Sequence, residues 1–174
     1  MSKSAFERYA PFIQEYIYRK KWTDLREVQV EACEAILDTN KHVIIASGTA
    51  SGKTEAAFFP ILTLLDQRPS DSIGIMYIGP LKALINDQYR RLVDMTAGTE
   101  VEVTPWHGDI DASRKTKSLK NPSGILIITP ESLESFLINR NSSVKKALGN
   151  LRYVVIDELH AFIGNERGKQ LQSL

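Results

Sequence analysis

The chain has 174 residues, a formal net charge of +1 and 43% hydrophobic residues, which fits one globular domain with its own core. Because it contains no run of about 18 apolar residues and no apolar N-terminal stretch, we expect neither a membrane span nor a secretory signal. The near-zero charge excludes a strongly basic arm but leaves open a local stripe of donors for nucleic-acid phosphates. The single cysteine, Cys33, is expected to be a small buried apolar group in a cytoplasmic protein.

Two helices are predicted before residue 40. In the first segment, apolar residues recur at roughly helical spacing: Phe6, Tyr9, Ile13, Tyr16 and Ile17. Pro11 is expected to begin that helix, because the first helical position does not need a backbone N–H. A second helix is predicted over residues 25–37.

After residue 40, short apolar runs rich in Ile and Val alternate with helical stretches. The runs predict strands over residues 42–46, 73–78, 101–104, 125–128 and 153–156. Helices are predicted over residues 54–65, 82–95 and 131–138. Consecutive apolar positions are typical of strands covered on both faces. The alternation therefore predicts an α/β fold with a doubly wound, mainly parallel sheet, helices on both faces, and functional loops at the carboxyl ends of the strands.

A loop of small residues follows the predicted strand 42–46. It consists of Ser47, Gly48, Thr49, Ala50, Ser51, Gly52, Lys53 and Thr54. Backbone N–H groups of such a loop can surround phosphates at a helix N-terminus. Lys53 would reach the β- and γ-phosphates of ATP, and the Thr54 hydroxyl would bind Mg²⁺. Ser47 and Ala50 depart from the glycines of the strict pattern, and the alternative is an ordinary Gly/Ser turn.

Two adjacent carboxylates, Asp157 and Glu158, follow the predicted strand 153–156. Asp157 would hold Mg²⁺, and Glu158 would orient and deprotonate the water that attacks ATP. Side chains alternate along an extended chain, so the two carboxylates can have distinct roles. The alternative is a helix N-terminus that Asp157 caps.

The order of these motifs resembles that of superfamily 2 helicases of the DExH type. The phosphate loop and residues 80–84, 129–132 and 157–160 are similar to motifs I, Ia, Ib and II of that family. Residues 77–88, 107–109 with Arg114, 121–133 and 157–168 are similar to Lhr-like (large helicase-related) proteins. Residues 48–53 are closer to helicases that carry a DUF1998-type region. The resemblance implies a RecA-like P-loop NTPase fold that binds ATP and Mg²⁺.

Further roles follow from the resemblance alone. Gln29 would read the adenine edge, since an amide both donates and accepts, and Trp22 would assist it. His160 would couple the state of ATP to the nucleic acid. Contacts with nucleic acid are assigned to Pro80, Lys82, Gly108, Thr129, Pro130 and Glu131. The alternatives are a solvated Gln29, a core Trp22 and a solvated Lys82.

The resemblance also predicts the domain organisation. Residues 1–21 would be an N-terminal helical extension, and residues 22–174 the ATP-binding domain, truncated before motif III. The second RecA-like domain would be absent, and with it an arginine finger that contributes roughly 10³–10⁵ in rate. The chain alone is therefore expected to bind nucleotide and to hydrolyse it slowly. A missing strand between the strands bearing Lys53 and Asp157 would expose an apolar edge.

The function that these residues predict is an ATP-dependent helicase or translocase that moves on DNA, with a possible role in DNA repair. One alternative is an RNA helicase. Another is a non-catalytic, nucleotide-gated interaction module, against which the intact Lys53, Thr54, Asp157 and Glu158 argue. A metabolic P-loop kinase is disfavoured, because motifs Ia and Ib would then have no purpose.

Overall fold

A computed structural model describes residues 4–48, 51–110, 113, 118–139 and 141–174, and the backbone alone of 141 and 142. Thr49, Ala50 and Arg114 lie outside this set. The chain divides into two compact units. The first, here called the helical unit, holds Met1–Pro69 and Met95–Thr99, and the second, the sheet unit, holds Ser70–Asp94 and Glu100–Leu174. Among the described helices, none has the length and apolar character to cross a membrane.

Four helices lie within the described residues of the helical unit. They are α1 (Ala5–Arg8), α2 (Pro11–Arg19), α3 (Glu27–Asp38) and α4 (Lys53–Gln67). Pro11 occupies the first turn of α2, as predicted. Helices α3 and α4 pack on each other, and Ile13, Phe59 and Cys33 are fully buried. The prediction of a buried, unpaired Cys33 is confirmed.

The predicted strand over residues 42–46 is wrong. Residues 42–48 form no regular secondary structure, and the apolar Ile44 is 82% exposed. A strand needs a neighbour that accepts and donates its backbone hydrogen bonds. None of the ladders between the described strands includes this segment, so its apolar composition alone does not produce a strand.

In the sheet unit, the part of the chain that the structure describes forms four parallel strands. They are β1 (Ile73–Ile78), β2 (Val103–Trp106), β3 (Gly124–Ile128) and β4 (Tyr153–Ile156), in the order β2-β3-β1-β4. Ile78 pairs with Ile128 on one side and with Ile156 on the other. The carboxyl ends of β1, β3 and β4 therefore lie at one edge of the sheet, as predicted. β2 begins two residues later than predicted and includes Pro105, which an outer strand tolerates.

The described residues of the sheet unit also form helices α5 (Lys82–Met95), α6 (Pro130–Asn139), α7 (Asn141–Leu148) and α8 (Glu166–Ser173), and a 3-10 turn at Leu159–Ala161. A buried core includes Met76, Trp106, Leu126 and Ile128 from the strands, together with Phe136 from α6. The rings of Trp106 and Phe136 meet edge to face, with centroids 5.1 Å apart. The sequence did not predict α7 or α8. The α/β prediction with a parallel sheet is confirmed.

Candidate nucleotide and nucleic-acid sites

The phosphate loop runs directly into α4. Gly52 precedes the helix with φ +88°, in the left-handed region that favours glycine. A Cβ at this position would also lie 2.7 Å from the Gln29 Nε2 atom. The backbone conformation therefore favours glycine, and any larger residue would also have to displace the end of the Gln29 side chain. The first N–H groups of α4 have no partner within the helix.

Lys53 folds back over the loop that precedes it. Its Nζ atom donates to the carbonyl oxygens of Ser47 and Gly48, each at 2.8 Å. The hydroxyls of Ser47 and Ser51 are hydrogen-bonded to each other. The structure thus brings most of the predicted loop residues together, with Lys53 at its centre, while Thr49 and Ala50 lie outside the described residues. A phosphate bound by Lys53 would compete with these two carbonyl groups for the ammonium protons.

Gln29 is fully buried beside this loop. Its Oε1 atom accepts from the Arg26 backbone N–H at 3.0 Å, and its side chain has no exposed surface. The alternative of a solvated Gln29 is therefore wrong. Its Nε2 atom has no hydrogen-bond partner among the described residues, and an unsatisfied buried donor costs about 1–3 kcal/mol. The orphaned amide next to Gly52 fits a ligand that supplies an acceptor, as the edge of adenine does.

Trp22 packs in an aromatic cluster of the helical unit. Its ring centroid lies 6.2 Å from those of both Tyr16 and Phe59, and Tyr9 contacts Phe59 from another direction. Trp22 is partly buried, and these ring contacts favour the alternative of a packing residue in the helical unit.

Asp157 is held at the carboxyl end of β4 by the neighbouring strand β1. Its Oδ2 atom accepts a hydrogen bond from the Tyr77 hydroxyl at 2.5 Å, and its Oδ1 atom accepts from the Glu158 N–H at 2.8 Å. Burial raises the pKa of Tyr77 above its usual range, and the adjacent Asp157 raises it further. The phenol therefore stays protonated and donates to the carboxylate. Sequence reasoning missed Tyr77, because only the register that pairs it with Val155 brings its hydroxyl to Asp157.

Glu158 adopts φ +50° and ψ 45°, a left-handed conformation that costs a non-glycine residue about 1–2 kcal/mol. It is the N-cap of the 3-10 turn, so the alternative that gives Asp157 this capping role is wrong. The Glu158 Oε2 atom lies 3.3 Å from His160 Nδ1. The two carboxylates consequently have different partners, Tyr77 for Asp157 and His160 for Glu158, as distinct roles require.

Lys82 and Gly108 lie together in the sheet unit. Lys82 begins α5, and its Nζ atom donates to Asp109 Oδ1 at 2.7 Å. A Cβ at Gly108 would lie 3.4 Å from the same Nζ atom. Lys82 is thus half exposed to solvent, as the alternative proposes, but its ammonium group also forms an ion pair with Asp109.

Thr129, Pro130 and Glu131 form the turn from β3 into α6. The Thr129 hydroxyl donates to Ser132 Oγ at 3.1 Å, and Pro130 is the first residue of the helix. The Gly79 N–H donates to the Ile128 carbonyl at 3.1 Å. This bond joins the start of the loop that contains Pro80 to the end of β3, directly before the turn.

Arg167 contacts both of these loops, and sequence reasoning gave it no role of its own. Its Nε atom donates to Glu131 Oε1 at 2.6 Å, and its Nη2 atom donates to the Pro80 carbonyl at 2.7 Å. Burial acts to raise the pKa of Glu131, but the hydrogen bond from Arg167 contributes to lowering it below its usual value. Glu131 is therefore an ionised partner of Arg167 at neutral pH.

Known proteins identify the family. A profile of the DEAD/DEAH box helicases matches residues 26–174. This chain belongs to the DEAD/DEAH box helicases. It is 35% identical over 179 residues to the ATP-dependent helicase Lhr-Core of Methanothermobacter thermautotrophicus, covering 92% of the chain and 20% of that relative. The chain thus spans about a fifth of the length of this relative.

Two solved helicases have the same fold as this DEAD/DEAH box chain. One is Lhr of Mycobacterium smegmatis bound to ssDNA and AMP-PNP, with a TM-score of 0.82 and 28% identity over 97% of this chain and 22% of that one. The other is the DUF1998 helicase MrfA bound to DNA and AMPPNP, with a TM-score of 0.79 and 26% identity over 90% of this chain and 22% of that one. The resemblance to Lhr-like and DUF1998-type helicases, and the RecA-like fold it implied, are confirmed.

Proposed function

We propose that this chain is the ATP-binding domain of an ATP-dependent helicase or translocase that moves on a DNA strand. The observation that carries the proposal is the buried Gln29 amide, whose Nε2 atom has no partner among the described residues and lies beside the phosphate loop. The family membership supports the ATP-dependent motor, and the Lhr and MrfA structures with DNA support the choice of DNA.

In this proposal the helical unit binds the nucleotide. The Gln29 amide binds the adenine edge, with Trp22 nearby in sequence, and the loop binds the phosphates through Lys53 and its backbone N–H groups. The loop residues are those named from the sequence: Ser47, Gly48, Thr49, Ala50, Ser51, Gly52, Lys53 and Thr54. Lys53 exchanges its hydrogen bonds with the loop carbonyl groups for bonds to phosphate oxygens.

Hydrolysis depends on the acidic pair. Thr54 and Asp157 are the residues proposed to hold Mg²⁺, which would neutralise phosphate charge when bound. Glu158 orients the attacking water and accepts its proton. His160, which lies next to the Glu158 carboxylate, relays the state of that carboxylate to the nucleic-acid side.

The nucleic acid is proposed to contact the loops of the sheet unit. These contacts come from Pro80, Lys82, Gly108, Thr129, Pro130 and Glu131. They would be made to the nucleic-acid backbone and not to base edges, so little sequence specificity is expected. Residues 1–21 form the proposed helical extension and residues 22–174 the ATP-binding domain. The second RecA-like domain would belong to the full-length protein.

Titration of a fluorescent ADP analogue with Mg²⁺ tests the nucleotide site. We expect saturable binding by the wild-type chain, loss of binding in Lys53→Ala, and little change in the control Lys41→Ala, which removes an exposed lysine outside the loop. Gln29→Ala is expected to reduce the preference for the ADP analogue over a GDP analogue. Binding that Lys53→Ala leaves intact would contradict the proposal.

Fluorescence anisotropy with single-stranded DNA and RNA of equal length tests the proposed nucleic-acid binding. Tighter binding of DNA is expected, and Lys82→Ala should weaken it. A preference for RNA would replace the proposed DNA motor with an RNA helicase.

A further inference from the structure

Arg167 joins three loops that follow three different strands. One guanidinium donates to the carbonyl of Pro80, after β1, and to the carboxylate of Glu131, at the start of α6 after β3. Its Cζ atom also lies 5.6 Å from the ring centroid of Phe162, which follows β4 and the 3-10 turn. Within the described residues these loops include the proposed motifs Ia and Ib and the segment directly after motif II.

The backbone that carries Arg167 is itself held closely. Asn165 caps α8, since its Oδ1 atom accepts from the Gly168 N–H at 3.0 Å. A Cβ at Gly168 would lie 1.8 Å from the Phe162 carbonyl oxygen, so the helix approaches that residue as only glycine permits. Gln170 adds a hydrogen bond to Glu134 of α6 at 2.6 Å. Arg167 therefore projects from a helix that is held against Phe162 at Gly168 and against α6 at Gln170.

We propose that Arg167 is a positioning residue for nucleic-acid binding. It holds the Pro80 loop and the start of α6 at a fixed separation, so that their backbone groups face the nucleic-acid phosphates together. Through Phe162 it attaches this surface to the segment after Asp157 and Glu158. The inference rests on the proposed function and gives a role to Arg167, to which the resemblance over residues 157–168 assigned none.

The charges of the site favour positioning over direct contact. The Arg167 side chain is 35% exposed and its guanidinium is neutralised by the ionised Glu131. The paired guanidinium offers a phosphate little net positive charge, and the Glu131 carboxylate repels it. Glu131 thus acts by holding Arg167, while the backbone of the turn contacts the strand. The geometry needs the planar guanidinium, because one ammonium cannot reproduce its fork of donors.

Four variants of the chain test this inference by fluorescence anisotropy with a single-stranded DNA at low salt. We expect Arg167→Ala and Arg167→Lys each to weaken binding by about tenfold, equivalent to 1.4 kcal/mol, and Glu131→Gln to weaken it roughly threefold. Arg90→Ala removes the same charge from an exposed position of α5 and should have little effect. Thermal unfolding of every variant shows whether the fold is retained, and Arg167→Lys and Glu131→Gln carry the test if Arg167→Ala does not fold.

Each other result overturns the inference. Tighter binding by Glu131→Gln, with binding retained by Arg167→Lys, would mean that Arg167 contacts phosphate directly. A loss in Arg167→Ala no larger than that in Arg90→Ala would mean that only net charge matters. If the wild-type chain binds no nucleic acid while binding nucleotide, the nucleic-acid part of the proposed function fails together with this inference. If the wild-type chain binds and the variants bind equally well, the inference fails alone.

Discussion

The two units hold their functional groups in different ways. In the helical unit the phosphate loop is secured by residues close in sequence: Lys53 bonds to carbonyl groups five and six residues earlier. In the sheet unit Asp157 is held by Tyr77, 80 residues away, and the Pro80 carbonyl by Arg167, 87 residues away. The loop is shaped by local contacts, whereas the strand ends are arranged by tertiary contacts.

This difference has a consequence for mobility. Local bonds to exposed carbonyl groups can exchange for bonds to a ligand without a change in the core. A carboxylate held by a buried tyrosine of another strand cannot move without disturbing the sheet. We therefore expect the phosphate loop to rearrange when it binds nucleotide, and Asp157 to stay in place.

The largest expected effect compares two isoleucines, each in an apolar run predicted as a strand. Ile75 lies in β1 and is fully buried, whereas Ile44 is 82% exposed. Ile75→Ala should lower the free energy of unfolding by about 2–5 kcal/mol, because it leaves a cavity in the sheet, and Ile44→Ala by less than about 0.5 kcal/mol. Urea denaturation measures both. A large loss in Ile44→Ala would show that residues 42–46 form a buried strand.

A second pair of variants compares two glycines. Gly168→Ala places a methyl group 1.8 Å from a backbone carbonyl oxygen, so we expect a loss of about 3 kcal/mol. A Cβ at Gly48 would meet no atom within 4 Å, and Gly48→Ala should change the free energy of unfolding by less than about 0.5 kcal/mol. Thermal unfolding at a fixed protein concentration measures both. Equal effects would contradict the close approach of α8 to Phe162.

The third prediction concerns the hydrogen bond between Tyr77 and Asp157. Tyr77→Phe removes a buried donor to a carboxylate and should cost about 2 kcal/mol. Tyr153→Phe, in the outer strand β4, is the matched control and should cost less than about 0.5 kcal/mol. Denaturant unfolding measures both variants. Equal losses of stability would contradict the stabilising hydrogen bond between Tyr77 and Asp157.

The smallest expected effect is a pH dependence from Glu131. The pKa of this carboxyl is lowered in the folded chain from its ordinary value of 4.5. Its contribution to stability is therefore complete above pH 4.5 and is lost as the pH falls through the lower, folded-state pKa. The side chain is half exposed, so solvent screening limits the contribution to a few tenths of a kcal/mol. The stability difference between wild type and Glu131→Gln, measured at pH 7 and pH 4, should shrink at the lower pH.

Much of the fold was predictable because its local signals are strong. The bounds of β1, β4 and α5 agree with the prediction residue for residue, since apolar runs and helical periodicity define them. Pro11 marked the start of α2 correctly. Helices α7 and α8 were missed because they are polar and short, and their formation depends on packing against the sheet rather than on periodicity.

The candidate site was predictable to the extent that its residues are adjacent in sequence. Lys53 with Gly52, and Asp157 with Glu158, are short motifs with a chemical meaning at fixed spacing. The family resemblance added Gln29, whose buried and orphaned amide fits the role. Tyr77 and Arg167 were not found, because each acts on a residue far away in the chain and neither stands in a motif that reveals its partner.

The sequence by itself determined the parallel α/β pattern, the phosphate loop and the acidic pair, because backbone periodicity and the chemistry of phosphate binding depend on neighbouring residues. Only the tertiary structure decided that the apolar run at 42–46 is not a strand, that Tyr77 holds Asp157, and that Arg167 joins the proposed nucleic-acid loops. Hydrogen-bond partners for a strand, a carboxylate or a guanidinium are supplied by whichever segments the fold brings together. No local pattern encodes that choice.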